Sequence, residues 1–108
     1  MKNGLNIDKY GCKRWYLNGS LHREDGPAIE DTDGVLEWYL NGKLHKENGP
    51  AHISKYGKEW CINDLNHRLD GPAIEWEGGA KAWYFNGEYI DCQTQEEFEQ
   101  LIKLKAFW

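Results

Sequence analysis

Residues 15–28 read Trp-Tyr-Leu-Asn-Gly-Ser-Leu-His-Arg-Glu-Asp-Gly-Pro-Ala, and close variants of this stretch recur along the chain. Its leading tryptophan returns at Trp38, Trp60 and Trp83, so that successive copies are offset by 23, 22 and 23 residues. A fixed period of this length is the signature of a repeat architecture, in which each unit is one small supersecondary element. The sequence therefore predicts an array of similar units.

Each copy carries two turn signals. Asn-Gly follows the aromatic strand in three copies, and Asn63-Asp64 takes its place in the third. Asn-Gly between apolar residues predicts a hairpin, because a type I′ turn needs positive φ at both central residues. Glycine marks a second turn at residues 31–34, 54–57 and 77–79. Residues 5–90 are therefore predicted to form an open, twisted, antiparallel β-meander of hairpin repeats.

Asp-Gly-Pro or Asn-Gly-Pro interrupts each return strand, at residues 25–27, 48–50 and 70–72. Proline lacks the N–H that a strand donates to its neighbour, and glycine permits the bend that a bulge requires. We expect a kink at each of these positions.

A two-residue turn fixes the register of the hairpin around it. It places Tyr16 opposite Leu21 and Trp15 opposite His22. Carried further along the chain, the same count predicts these pairs: Arg14 with Arg23, Trp38 with His45, Tyr39 with Leu44, Glu37 with Lys46, Trp60 with His67, Cys61 with Asn66, and Glu59 with Arg68. Because successive residues of a strand point to opposite faces, tryptophans form one row and tyrosines another on the opposite face.

The chain ends in a predicted helix over residues 94–106. Thr94-Gln95-Glu96-Glu97 is a capping box. Apolar residues follow at near-helical spacing: Phe98, Leu101, Ile102, Leu104 and Phe107. We expect the helix to cap the open end of the sheet by laying Phe98, Leu101 and Ile102 on the last hairpin. Residues 1–108 are thus predicted to be one domain.

The composition narrows the classes of partner. Acidic residues outnumber basic ones by 18 to 13, which disfavours binding to phosphate backbones and anionic lipid. Nucleic acid and membranes are therefore not expected partners. The three cysteines lack C-x-x-C spacing, and the first residues lack the apolar run of a signal peptide. These features predict a cytoplasmic protein.

The candidate chemical groups do not predict catalysis. Equivalent histidines, His22, His45 and His67, should lie two strands apart, about 9.5 Å, which is too far for neighbouring repeats to share a metal ion bound at about 2 Å. We expect each to stack beside its cross-strand tryptophan instead. Cys61 is predicted to point away from His67, so a nucleophile–base pair is not expected. The sequence predicts a protein that is not an enzyme and needs no metal or cofactor.

The tyrosine face is the predicted binding surface, and the tryptophan face is expected to form a shallow core. Tyrosine and arginine are enriched at the centres of protein interfaces. The predicted partner-binding residues are Tyr16, Tyr39, Tyr84, Tyr89, Arg14, Arg23, Lys46 and Arg68. Glu37 and Glu59 are expected to neutralise Lys46 and Arg68 on this face. Arg14 and Arg23 would then remain as a cationic spot.

The order W-x-x-N-G-x-x-H followed by glycine resembles the MORN repeat, and more closely the variant W-Y-x-N-G-K-x-H-R-x-D-G-P-A. This variant looks like the repeats of antitoxin-type proteins and of small tailed-phage proteins, and the likeness covers residues 6–90. It implies an open β-meander with a binding role, in the host cytoplasm if phage-encoded, and carries no catalytic residue across. The third copy departs from it at Cys61, Asp64 and Asn66, so its hairpin turn is expected to differ.

Several functions follow from this interpretation. The preferred one is a non-enzymatic inhibitor, of the phage counter-defence or antitoxin type, that binds a host or bacterial protein through the tyrosine face or an unpaired edge strand. The alternative is a small-ligand binder that sequesters a nucleotide signal, with Arg14 or Arg23 holding phosphate. An acidic mimic of DNA is a third hypothesis. A homodimer through the sheet edge would change which face is accessible.

Overall fold

The structure, a computed structural model, describes residues 2–105. Within this range the chain forms 14 short strands and one helix, α1 (Gln95–Lys105). The strands are β1 (Gly4–Ile7), β2 (Lys13–Leu17), β3 (Ser20–Leu21), β4 (Ile29–Glu30), β5 (Leu36–Glu37), β6 (Tyr39–Leu40), β7 (Lys43–Leu44), β8 (His52–Ser54), β9 (Gly57–Glu59), β10 (Cys61–Ile62), β11 (Leu65–Asn66), β12 (Ile74–Trp76), β13 (Lys81–Phe85) and β14 (Glu88–Ile90). No helix among the described residues is long and apolar enough to cross a bilayer.

Most of the strands form one open antiparallel sheet. Its strand order is β1-β2-β4-β5-β8-β9-β12-β13-β14, with β3 paired to β2, while β6–β7 and β10–β11 are separate two-stranded hairpins. The described residues span 47 × 31 × 18 Å, so the molecule is a thin ribbon. The predicted fold class, a mainly β array of antiparallel hairpins with one C-terminal helix, is confirmed.

The Asn-Gly turns have the backbone conformation that the sequence predicts. Asn18 and Gly19 have φ of 50° and 83°, and φ is also positive at both central residues of the other three turns. The third turn keeps this conformation, with φ of 69° at Asp64, so the expected difference there is wrong. The Asp64 carboxylate accepts a hydrogen bond from the Leu44 N–H at 2.7 Å, which offsets part of the cost of a left-handed non-glycine residue.

The predicted register is confirmed close to each turn. Tyr16 lies opposite Leu21, and the His22 N–H donates to the Trp15 carbonyl at 2.9 Å. The other short-range pairs also hold: Trp38 with His45, Tyr39 with Leu44, Trp60 with His67, and Cys61 with Asn66.

Farther from the turn than the tryptophan–histidine pair, the predicted register is wrong. Arg14 lies opposite Ile29 rather than Arg23, because the return strand leaves the sheet after Leu21 and rejoins it at Ile29. For the same reason Glu37 lies between Ile29 and His52. The corresponding predictions, Glu37 with Lys46 and Glu59 with Arg68, fail in the same way.

The segment that leaves the sheet ends in a fully buried alanine. Ala28, Ala51 and Ala73 are each 0% exposed. The Ala28 N–H donates to the Glu37 carbonyl at 2.8 Å, and its carbonyl accepts from the Trp15 N–H at 2.8 Å. The alanine therefore restores strand pairing where the kink ends, and its small side chain suits a position with no free space.

Helix α1 packs on the last hairpin, as predicted. The Thr94 hydroxyl accepts a hydrogen bond from the Glu97 N–H at 3.1 Å and begins the helix. Phe98 is buried against Trp83 and Ile90, with Ile102 partly buried beside them. Leu101 is instead 37% exposed, because only one edge of the helix meets the sheet. Predicted helix residue 106 and the apolar Phe107 lie outside the described residues.

Candidate binding surface

A cation lies over the tryptophan ring in each of the first three repeats. The Arg23 Cζ is 3.8 Å from the centroid of the Trp15 ring. The Lys46 Nζ is 3.9 Å from that of Trp38, and the third repeat has Arg68 in the same place over Trp60, at 3.8 Å. These three cations were predicted to lie among the tyrosines. They lie on the tryptophan side, so the predicted site residues do not form one surface.

The two arginines are also held by a fixed set of acceptors. Arg23 donates to Asp25 Oδ1 at 3.0 Å, to Glu30 Oε2 at 2.9 Å and to the Pro27 carbonyl at 3.1 Å. Arg68 repeats the pattern with Asp70, Glu75 and the Pro72 carbonyl, at 2.9, 2.8 and 3.1 Å. Arg23 is therefore neutralised locally and does not form the predicted cationic spot.

The glycine of each Asp-Gly-Pro segment makes room for this cation. Gly26 and Gly71 do not have positive φ, so the bend does not require glycine as the sequence suggested. A Cβ added at Gly26 would instead lie 2.9 Å from the Arg23 Cζ, and one at Gly71 would lie 2.7 Å from the Arg68 Cζ. The repeat motif is thus explained by packing: tryptophan below, cation in the middle, glycine above.

Replacing Gly71 with alanine is expected to displace the Arg68 guanidinium from the Trp60 ring and from its two carboxylates. We expect the free energy of unfolding to fall by about 1–2 kcal/mol, the combined scale of a partly buried cation–π contact and its ion pairs. Gly49→Ala is the matched control, because its Cβ would lie 3.3 Å from the nearest Lys46 atom. Urea unfolding measures both variants, and an equal loss at the two positions would contradict this packing argument.

The recurring histidines join one repeat to the next. The His22 Nδ1 accepts a hydrogen bond from the backbone N–H of Asn41, the first turn residue of the following repeat, at 2.9 Å. The equivalent bonds join Asn63 to His45 at 3.1 Å and Asn86 to His67 at 2.9 Å. Sequence reasoning missed this link and assigned the histidines a stacking role. The recurrence of a histidine 18 or 19 residues before each of the later Asn-Gly or Asn-Asp turns was the available signal.

The first turn has no preceding histidine among the described residues. Asn3 takes that position, since its side-chain oxygen accepts from the Asn18 N–H at 2.8 Å. The Gly19 N–H donates to the Lys2 carbonyl at 2.9 Å, just as Gly42 donates to the carbonyl of Leu21 at 2.8 Å. The N-terminal segment thus supplies the contacts that a preceding repeat would make.

The histidine link makes the fold sensitive to acid. Burial lowers the pKa of His67 from its ordinary 6.5, and protonation of Nδ1 would remove the acceptor for the Asn86 N–H. Since the unfolded chain takes up this proton more readily, stability is expected to fall as the pH drops below about 6.5. Denaturant unfolding at pH 8 and pH 5 measures the loss. It should be smaller in His67→Asn, whose amide oxygen accepts without titrating; an unchanged loss would contradict this role for His67.

Several of the residues predicted to bind a partner on the tyrosine side already contact other residues of the chain. The Tyr39 hydroxyl donates to Glu37 at 3.2 Å, and burial followed by the Glu37 charge raises the pKa of Tyr39 to about 12. The rings of Tyr84 and Tyr89 meet edge to face, with centroids 5.6 Å apart. Arg14 forms an ion pair with Asp8 at 3.1 Å, so it is not the unpaired cation that the sequence predicted.

Cys61 occupies the tyrosine position of the third repeat. Its side chain is buried, and burial, reinforced by Glu59 and Asp64, raises the pKa of the thiol to about 12. A thiol with that pKa stays protonated at neutral pH and is a poor nucleophile.

Two equivalent grooves run across the tryptophan side. The first, about 490 Å³, lies between residues 23–26 and 45–48, with Trp38 and Leu40 at its base. The second, about 670 Å³, lies between residues 46–49 and 67–70, with Trp60 and Ile62 at its base. Residues 46–48 line both grooves.

A smaller hollow of about 260 Å³ lies elsewhere on the sheet, among residues that include His52, Gly57, Ile74 and the exposed Trp76. Trp76 ends β12 and does not recur at the repeat period, whereas its neighbour Tyr56 lies in a turn and has a counterpart at Tyr10. Sequence reasoning that followed the Trp-Tyr-x-Asn-Gly motif missed both residues.

Within residues 2–105 no cluster of three histidine, cysteine, aspartate or glutamate side chains could hold a metal ion. A scan against protein-family models and searches of curated proteins and of solved structures found no match to this chain.

Proposed function

We propose that the chain is a non-enzymatic binding module that engages a protein partner through the two grooves of its tryptophan side. The observation that carries this proposal is the equivalence of the grooves: the same motif positions line both, one repeat apart. A surface that repeats along a ribbon suits an extended segment of a partner, which can occupy successive grooves and gain affinity from each.

The chemistry of the grooves fits protein recognition. Each has a tryptophan at its base and a cation stacked on that ring, and tryptophan and arginine are the residues that most often dominate interface energies. The cations are already ordered by ring contacts and, for Arg68, by carboxylates. Binding would therefore lose little of their side-chain entropy.

The finer proposal is an inhibitor of the phage counter-defence or antitoxin type, acting on a bacterial protein in the cytoplasm. Its support is the motif resemblance alone, namely the repeated W-Y-x-N-G and D-G-P-A segments. The tyrosine side is a weaker candidate surface, because the Tyr39 hydroxyl is bonded to Glu37 and the rings of Tyr84 and Tyr89 contact each other.

Affinity capture from bacterial lysate tests the proposal when a matched pair of variants is included. Asn48→Arg places a bulky side chain in the wall that both grooves share. Tyr10→Arg changes a residue that is 74% exposed and lines neither groove. We expect one stoichiometric partner to be retained by wild type and Tyr10→Arg and lost by Asn48→Arg. Recovery of no stoichiometric partner, or equal recovery by both variants, would count against the groove assignment.

The alternative function, sequestration of a nucleotide signal, is favoured by one observation. The groove volumes of about 490 and 670 Å³ lie in the range of small-molecule sites. Arg14 and Arg23 no longer suit the phosphate, since both are paired with carboxylates. Calorimetric titration with cyclic and linear nucleotides tests it, and a flat response across all of them would remove this alternative.

A further inference from the structure

The three cations that lie over tryptophan rings occupy equivalent positions, so their surroundings can be compared directly. In the first and third repeats an aspartate stands two residues after the arginine and a glutamate seven residues after it, and both bond the guanidinium. In the second repeat the cation is Lys46, and Asn48 and Ile53 stand at those two positions. Both carboxylates that would neutralise the cation are therefore absent from the same repeat.

Lys46 consequently has a different environment from the two arginines. Its ammonium lies 3.9 Å from the Trp38 ring centroid. Among residues 2–105 the structure gives this ammonium no carboxylate partner, whereas Arg23 and Arg68 each have two. An ammonium carries three N–H donors, and a ring face satisfies only part of that capacity. The second repeat thus keeps a positioned cation whose usual acceptors are missing.

This cation stands where a ligand can reach it. Lys46 lines both grooves, on the wall that they share. In the smaller groove the opposite wall includes Glu24, which would repel an anion, while Asp25 is already paired with Arg23. In the larger groove Leu69 occupies the motif position of Glu24, and Asp70 is already paired with Arg68. The other acidic residue there is the exposed Glu47, which lines both grooves. The larger groove therefore offers the more favourable approach to Lys46.

The larger groove also offers apolar contact beside the cation. Ile62 lies at its base, and Leu69, which is 54% exposed, lies on its far wall. A ligand that carried an anionic group next to an apolar one would match both features. The groups that bind the cation in the other two repeats are carboxylates, and a carboxylate is therefore the anionic group that we expect Lys46 to bind.

We propose that the second repeat binds an acidic side chain of the protein partner, a glutamate or aspartate whose carboxylate accepts hydrogen bonds from Lys46 in the larger groove and whose apolar neighbour packs on Ile62 and Leu69. This inference rests on the proposed protein-binding function and names the residue class that the grooves select. The partner supplies in trans the carboxylate that the first and third repeats supply from their own chain.

Nuclear magnetic resonance titration of ¹⁵N-labelled protein tests the site directly. The probe is the capped peptide acetyl-Gly-Glu-Leu-Gly-amide, and the matched control replaces its glutamate with glutamine. We expect saturable shifts at the backbone amides of Asn48 and Gly49 and at the Trp38 and Trp60 indoles. The glutamine peptide should bind about ten-fold more weakly, the loss of one charge-assisted contact. Equal affinity for the two peptides would overturn the proposal.

Two variants separate the site from the fold. Lys46→Gln should weaken the glutamate peptide about ten-fold. The triple change Lys46→Arg, Asn48→Asp and Ile53→Glu rebuilds the ion pairs of the other repeats, so it should keep the unfolding midpoint at or above that of wild type while abolishing peptide binding. A well-folded triple variant that binds the peptide as wild type does would overturn the proposal.

Two further comparisons complete the test. Inorganic phosphate should shift the same amides less than the glutamate peptide, and a stronger response to phosphate would overturn the choice of carboxylate. If a lysate partner is captured equally by wild type and the triple variant, the Lys46 assignment fails while the binding function stands. If the peptide binds at Lys46 but no stoichiometric partner is captured, the proposed function is the part that fails.

Discussion

Replacing Phe98 with alanine is expected to lower the free energy of unfolding by about 3–5 kcal/mol, the range for truncating a fully buried phenylalanine. Phe98 is 0% exposed and packs against Trp83 and Ile90. These three form the one cluster of buried apolar residues that the structure gives for residues 2–105, so little else can compensate. Urea unfolding followed by far-ultraviolet circular dichroism measures the loss.

Leu104→Ala is the control for this change. It removes a similar apolar side chain from the same helix, but Leu104 is 56% exposed. Its stability is expected to stay within about 0.5 kcal/mol of wild type. A Phe98→Ala variant that lost less than about 1 kcal/mol would show that the helix is dispensable for the sheet end, contrary to the packing observed.

Replacing Gly57 with alanine is expected to cost about 3–4 kcal/mol, from a backbone conformation reserved for glycine together with a steric clash. Gly57 has φ of 149°, and an added Cβ would overlap the carbonyl oxygen of Glu75 and lie 3.0 Å from the Trp76 Cα. Both atoms belong to the main chain of β12, which pairs with β9 at this point. They cannot move aside as a side chain could, so the two strands must separate.

Gly78→Ala provides the comparison for this position. Gly78 lies in the turn after β12, its φ is not positive, and an added Cβ would meet no atom within 4 Å. We expect its effect on the free energy of unfolding to stay within about 0.5 kcal/mol. Thermal and urea unfolding should rank the two variants far apart. Similar midpoints would contradict the close approach of β9 and β12.

The features that the sequence predicted correctly are local ones. The Asn-Gly turns and the pairs within a few residues of them depend on backbone preferences that a tetrapeptide already specifies, which is why Tyr16 was placed opposite Leu21. The helix begins at its capping box for the same reason, with Thr94 bonded to the Glu97 N–H.

The errors arose where local register stops determining position. The register of the hairpin predicts that Arg23 is a strand residue, but the chain has already left the sheet there, and the guanidinium lies over Trp15. Contacts between repeats were equally hidden. The His22 bond to the Asn41 N–H joins residues 19 apart, and nothing within one hairpin predicts it.

Substitution at equivalent positions held more information than the motif itself. In the second repeat Asn48 and Ile53 replace the aspartate and the glutamate of the first and third repeats, and both changes are visible in the sequence. Its meaning emerges only when the structure shows that Arg23 bonds both corresponding carboxylates. Comparing the repeats of one chain thus shows which contacts recur, here the two carboxylates on Arg23 and Arg68, and which repeat lacks them.

In the first three repeats the histidine accepts a hydrogen bond from the turn of the following repeat, so the contacts between repeats all run in the same direction along the chain. His22 accepts from the turn of the next repeat, and Asn3 accepts from the first turn in the same way. At the other end of the array, Gln95 of the helix accepts from the Trp83 indole at 2.8 Å. A unit inserted or excised in frame between equivalent points would meet the same neighbours on both sides. Evolution could therefore lengthen or shorten such a chain by gene duplication or deletion, changing the number of grooves without redesigning any of them.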